Sequence, residues 1–192
     1  MGFPWDFRPL QGERVRLDLL RDDDLEPLFA MQSDPEVCRY LLYEPRSRAQ
    51  VADVLRRDAA ATRLENPGDY LQPVIRDADG RFCGTMYFEL KAGAPDSTAE
   101  IGWILLPGAR GRGYAREAAG LLLDLAFGEL GLHRVYAELD PRNDASVALC
   151  EALGMRHEGR FIEHMWLKGE WTDTGHYAIL EREWAITRGR RA

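Results

Sequence analysis

The stretch Pro107-Gly108-Ala109-Arg110-Gly111-Arg112-Gly113-Tyr114-Ala115 joins two features that suit a phosphate: arginines, and glycines that let the backbone come close to a ligand. It lies where an alternating apolar run, residues 98–105, gives way to a long helical pattern, residues 114–130. The unpaired N–H groups of the first helical turn then add to the loop, and together they favour a pyrophosphate. Three phosphate-binding patterns can be laid on it. The mononucleotide pattern G-x-x-x-x-G-K-[ST] fits from Gly108 to Gly113 but meets Tyr114 where the lysine for the terminal phosphates belongs. The dinucleotide pattern G-x-G-x-x-G fits Gly111 and Gly113, fails at Arg116, and comes too late in the chain, after several antiparallel strands. The third, [RQ]-x-x-G-x-[GA], fits as Arg110-x-x-Gly113-x-Ala115. Taken alone, the loop could still be a plain strand–helix connection with solvated arginines.

Glu100 is the second candidate for chemistry. It is the one carboxylate in the run 98–105 and points away from the face carrying Ala99, Ile101 and Trp103. Such a group suits a general base, or is an ordinary solvent-facing side chain of an alternating strand. Cys38, Cys83 and Cys150 are odd in number and widely spaced, and the histidines show no H-x-x-x-H spacing, so neither a disulfide framework nor a zinc site is expected.

The elements that must hold these groups follow from periodicity and breakers. Residues 14–20 alternate as a strand, and Asp22-Asp23-Asp24 opens a helix. Asp34-Pro35 starts a short helical turn, and Ser47 caps a helix over residues 48–64. Residues 70–76 and 82–90 form a hairpin about the turn 77–80, and residues 92–96 form a loop to the next strand, 98–105. After the helix 114–130, closed by Gly131, come a strand at 133–139, a short helix ending at Gly154, and strands at 155–167 and 175–184. This order gives one mixed α/β domain over residues 1–192, with a largely antiparallel sheet flanked by helices. Its core covers about 14–184, and residues 185–192 form a frayed tail.

A chain of 192 residues is long enough for a sizeable core without a metal or disulfide. A net charge of −7 argues against nucleic acid as the main partner. No apolar run reaches the length of a membrane span, and the N-terminus lacks the apolar stretch of a signal peptide, so a cytoplasmic protein is expected.

With the third loop pattern, three further blocks make the sequence resemble the GNAT superfamily of acetyl-CoA-dependent N-acetyltransferases, in the branch of the ribosomal-protein N-terminal acetyltransferases. They are Ala99-Glu100-Ile101-Gly102-Trp103; Asn143-Asp144-Ala145-Ser146 through Leu153-Gly154-Met155 to Glu158-Gly159; and Trp171-x-Asp173 through Tyr177-Ala178-Ile179-Leu180 to Glu183-Trp184. The resemblance covers the chain from Val15 to Trp184. It implies about seven strands, splayed between the fourth and fifth, with the pantetheine of CoA lying in the splay and pairing with backbone at Trp103, Ile104 and Leu105. Arg110, Gly111, Arg112, Gly113, Tyr114 and Ala115 would hold the pyrophosphate. Glu100 would take a proton from the amine, Leu105 N–H would face the oxyanion, and Ser146 would act toward the departing thiolate. Asn143 would contact CoA. The other readings stay open: Ser146 as a helix-start cap, Asn143 as an N-cap or turn residue, each arginine as a solvated side chain. Many family members carry a Tyr four residues beyond Ser146, where this chain has Cys150, a small residue expected to be buried.

The resemblance thus implies acetyl transfer to a primary amine, on a protein N-terminus or a small molecule, by direct attack in a ternary complex. The acceptor walls would come from residues 38–43, from Tyr87 and Glu89, and from Glu163, His164 and Trp166. The alternative is a catalytically silent acyl-CoA-binding or interaction module on the same fold. A homodimer is compatible, with Phe3, Trp5 and Phe7 able to pack on a partner or on their own domain.

Overall fold

The alternating runs assemble into one sheet with both faces covered by helices. The computed structural model describes residues 3–92 and 96–189. In chain order its elements are β1 (Trp5–Asp6), β2 (Leu10–Gln11), β3 (Val15–Asp18), α1 (Leu25–Gln32), α2 (Pro35–Cys38), α3 (Arg48–Ala59), β4 (Arg63–Leu64), β5 (Tyr70–Leu71), β6 (Val74–Asp77), β7 (Phe82–Ala92), β8 (Thr98–Leu105), α4 (Tyr114–Asp124), β9 (Arg134–Leu139), α5 (Asp144–Leu153), β10 (Arg156–Leu167), β11 (Glu170–Leu180) and α6 (Glu181–Gly189). The main sheet runs β10-β11-β9-β8-β7-β6-β3-β2, with β5 also on β7. Its pairings are antiparallel except for the parallel pair β8–β9.

The larger core lies between the sheet and α4, α5 and α6. It holds Met86, Phe88, Ile101, Leu122, Leu153 and Trp184. A smaller core on the opposite face joins Leu28, Met31, Val51 and Leu55 to Val74.

Several boundaries differ from the sequence reading. The run 70–76 is two strands, because Pro73 has no N–H for a ladder and interrupts it; its carbonyl accepts from Met86 N–H at 2.8 Å. The helix expected to reach residue 64 ends at Ala59, and Leu64 pairs instead with Trp5. The helix 114–130 regularises only to Asp124 and then widens into a π-helical turn at Leu125–Glu129, closed by Gly131 in the left-handed region (φ 66°). The last strand begins earlier than expected and stops at Leu180. The segment expected to end a strand and fray is helix α6. Glu183 accepts from Leu180 N–H at 2.9 Å, and buried Trp184 donates its indole N–H to Asp124 at 2.9 Å. Residues 190–192 of the expected tail, and 93–95 of the expected loop, lie outside the described residues. The aromatic N-terminus packs on its own chain: Trp5 is buried and donates to Glu129 at 3.0 Å.

Two tight features fix the sheet around the open end of β8. Gly84 on β7 faces Leu105, and a Cβ there would stand 2.2 Å from Ile104 O, so only glycine allows this approach of the strands. Asp24, expected only to favour a helix start, grips Arg76 of β6 with both oxygens, at 3.0 and 2.7 Å, and both residues are buried. Asp24→Asn would leave the buried guanidinium with only Asp18, 3.7 Å from its Nε, and cost about 3 kcal/mol, read as a lower urea midpoint. Gly84→Ala would force β7 and β8 apart and cost about 2 kcal/mol in the same measurement.

Candidate functional site

The parallel pairing of β8 and β9 covers only Thr98, Ala99 and Glu100, opposite Arg134, Val135 and Tyr136. Past Glu100 the strands diverge. The antiparallel register on the other edge of β8 matches Tyr87 with Gly102 and Thr85 with Ile104, and Leu106 N–H donates to Cys83 O at 3.0 Å. Backbone groups alternate along a strand, so Gly102 and Ile104 turn theirs to β7, while Trp103 and Leu105 turn theirs to the open side. Of the three residues expected to offer backbone to a ligand, Ile104 is therefore committed to β7.

A cavity of about 580 Å³ opens at this divergence. Glu100, Gly102, Trp103 and Ile104 of β8, Tyr87 of β7, and Asn143 and Ser146 at the start of α5 line it. Leu105 and the loop residues Arg110, Gly111, Arg112, Gly113, Tyr114 and Ala115 are outside this lining. They follow the end of β8 through the turn Pro107–Ala109 into α4. A roof comes from two places the sequence did not join. Lys168, at the β10–β11 turn, donates to the carbonyls of Cys38 and Arg39. Arg142 donates to Glu170 at 2.8 Å and pairs with Asp140. Tyr43, also in the lining, has a buried hydroxyl without a hydrogen-bond partner among the described residues, and burial pushes its pKa up to about 12.

Glu100 lies on the face opposite Ala99 and Ile101, within the lining. It faces Glu89 across the ladder, and Lys91 bridges the two like charges, 2.9 Å from Glu89 and 3.1 Å from Glu100. Tyr136 donates to the same Glu100 oxygen at 3.4 Å, and Tyr87 donates to Glu89 at 2.5 Å. Burial and the neighbouring carboxylate push both phenols up, Tyr136 to about 12, so both keep their protons at neutral pH. This network was not legible from Glu100 alone; the alternation of Tyr87, Glu89 and Lys91 on one face of β7 was its available signal.

At α5, Asn143 is the N-cap: its side-chain oxygen accepts from Ser146 N–H at 3.2 Å. The Ser146 hydroxyl does not cap the helix; it accepts the indole N–H of Trp103 at 3.2 Å. Cys150, one turn further, is fully buried, and burial pushes its thiol up to about 12, which rules out a ready thiolate.

The loop before α4 turns on two glycines. Gly111 and Gly113 adopt φ of 73° and 78°, and a Cβ at Gly111 would meet nothing within 4 Å. Arg110, Arg112 and Arg116 make no ion pair among the described residues, although most of the chain's other arginines do. Arg14 was not foreseen. It donates to Glu117 at 2.8 Å and to Arg112 O at 3.1 Å, while Glu117 also accepts the N–H groups of Arg14 and Val15. Its guanidinium lies 3.1 Å from where a Gly113 Cβ would stand, directly beneath the loop.

The family model of the acetyltransferase (GNAT) domain matches residues 14–156. An uncharacterized N-acetyltransferase of Bacillus subtilis, YnaD, is 34% identical over 163 residues, covering 84% of this chain and 90% of its own length. The spermidine N(1)-acetyltransferase of Vibrio cholerae is 28% identical over 173 residues, covering 90% and 96%. Among solved structures, the acetyltransferase (GNAT family) from Bacillus anthracis superposes with a TM-score of 0.81 at 27% identity, covering 92% of this chain and all of that one.

The Arg14 clasp holds the loop rather than the core, since its side chain is half exposed. Arg14→Ala should leave the melting temperature near wild type and weaken CoA binding about tenfold in calorimetric titration, on the scale of one hydrogen bond to a charged group.

Proposed function

The chain belongs to the GNAT acetyltransferase family, and on that premise we propose that it moves an acetyl group from acetyl-CoA to a primary amine by direct attack within a ternary complex. The observation that carries the proposal is the convergence of a carboxylate, an open strand edge and a hydroxyl on one cavity, next to an anion cradle.

The residues present fit acetyl-CoA. Backbone N–H groups from Gly111 to Ala115 and the unpaired Arg110, Arg112 and Arg116 suit the pyrophosphate. The free backbone edge at Trp103 and Leu105 suits the amides of pantetheine. When bound, acetyl-CoA supplies the activated acetyl thioester. Glu100 takes the amine's proton, directly or through one water. Lys91 holds the carboxylate in place through the 3.1 Å ion pair. Leu105 N–H, turned to the open side, donates to the carbonyl oxygen as negative charge grows there. The Ser146 hydroxyl and the positive end of α5 meet the sulfur. Asn143 is committed to its cap through its oxygen, which leaves its amide N–H groups for CoA.

For the acceptor, the relative acting on spermidine supports a small amine. A peptide N-terminus is the second class. Its amine, near pKa 7.7–8.0, sheds a proton more easily than an alkylamine near 10.4.

The test is CoA release from acetyl-CoA with spermidine, small diamines, aminoglycosides and short Ala- or Ser-starting peptides. At least one amine should turn over, and Glu100→Gln should lower kcat roughly 100-fold or more while acetyl-CoA still binds. Acetyl-CoA binding with no turnover of any amine would favour the silent binding module instead.

A further inference from the structure

An indole N–H can donate and never accept, so its bond to Ser146 fixes which way the serine proton can go. Trp103 donates to Ser146 Oγ at 3.2 Å and thereby fills one lone pair of the hydroxyl. The Ser146 hydroxyl proton cannot return to Trp103, and it makes no hydrogen bond of its own among the described residues. The backbone N–H of Ser146 is occupied by Asn143, which fixes the residue as the third of α5. Both Trp103 and Ser146 line the cavity. The proton therefore points into the cavity, at the positive end of a ten-residue helix.

We propose that Trp103 is a positioning residue, whose indole N–H holds the Ser146 hydroxyl as a donor aimed at the sulfur of CoA. This rests on the acetyl-transfer reading above. The interaction needs no net proton transfer from serine: the C–S bond breaks with its electron pair on sulfur, and a thiol of pKa about 8.5 leaves as a thiolate that accepts the hydroxyl's hydrogen bond. Trp103 also spans the gap between β8 and α5, so one side chain props the splay open and arms its far wall. The charged groups of the cavity lining are Arg39, Glu100, Glu138, Asp140, Arg142, Lys168, Glu170 and Asp173; Asp140 and Glu170 are tied to Arg142, Glu100 to Lys91, Glu138 to His176 and Asp173 to Arg160.

The test reads the bound thiol without any acceptor. Affinities for CoA and for acetyl-CoA are measured by calorimetry at pH about 7 and about 9, on either side of the ordinary thiol value. Acetyl-CoA shares every phosphate and every protein group but has no thiol, so the ratio of the two affinities isolates the sulfur. In wild type, a hydrogen bond that lowers the bound thiol by about one unit makes CoA gain about sixfold on acetyl-CoA across this range. Ser146→Ala should abolish the gain. Trp103→Phe keeps the ring and loses the N–H; it should cut the gain, taken as the ratio of the two affinities in the same variant, to about twofold or less. In the double variant, Trp103→Phe should add nothing to Ser146→Ala. Trp103→Met repeats the measurement should the phenyl variant not fold. A full gain in a folded Trp103 variant overturns the role of Trp103. A gain that survives Ser146→Ala, or is absent in wild type, overturns the aimed hydroxyl. Failure of wild type to bind either ligand overturns the acetyl-transfer reading itself.

Discussion

Past Glu100, the backbone of β8 has a strand on one side only. Buried N–H and C=O groups tolerate this poorly, because each one left unpaired costs about 1–3 kcal/mol. The fold nevertheless holds the edge open. On one side β8 is drawn against β7, closely enough at Gly84 that no side chain fits. On the other, the Trp103 indole stands between β8 and the first turn of α5. The parallel pair survives for three residues and then parts around a cavity. An extended ligand carrying amides can pair with the groups that β9 abandons.

Charge is sorted by the same logic. The chain is acidic, and most described arginines are spent on neighbouring carboxylates; Arg110 and Arg112 of the loop before α4, and Arg116 in the first turn of α4, are among those that are not. Glu117, inside α4, does not quench them. It clasps Arg14 and two backbone N–H groups from beneath and so stiffens the cradle instead. In the cavity the pattern is reversed: Glu89 and Glu100 would repel across the ladder, and one of only two lysines in the chain lies between them. Unpaired arginines thus gather at the loop, while in the cavity a lysine separates two carboxylates.

The strand, loop and helix around the glycines were legible because they are local. The glycine spacing, the strand before it and the helix after it lie within some thirty consecutive residues, and each acts through its own backbone. The boundaries that escaped were set by distant partners. Leu64 leaves a helix to pair with Trp5, and Trp184 is buried in a helix because Asp124, sixty residues away, accepts its N–H. Glu100 was readable as a carboxylate on the right face. Its ion pair with Lys91 depends on the β7–β8 register, which alternation alone does not fix.

The acceptor side follows the second pattern throughout. Its roof joins the turn after α2 to the tip of the last hairpin, through a lysine that donates to two main-chain carbonyls and an arginine held between two acids. Carbonyls carry no sequence signature, so this contact could not be read from residue types. The splay is built into β8, β9 and α5, whereas the roof is surface segments meeting over the cavity. Changing a roof segment would reshape the cavity and leave the open edge of β8 untouched.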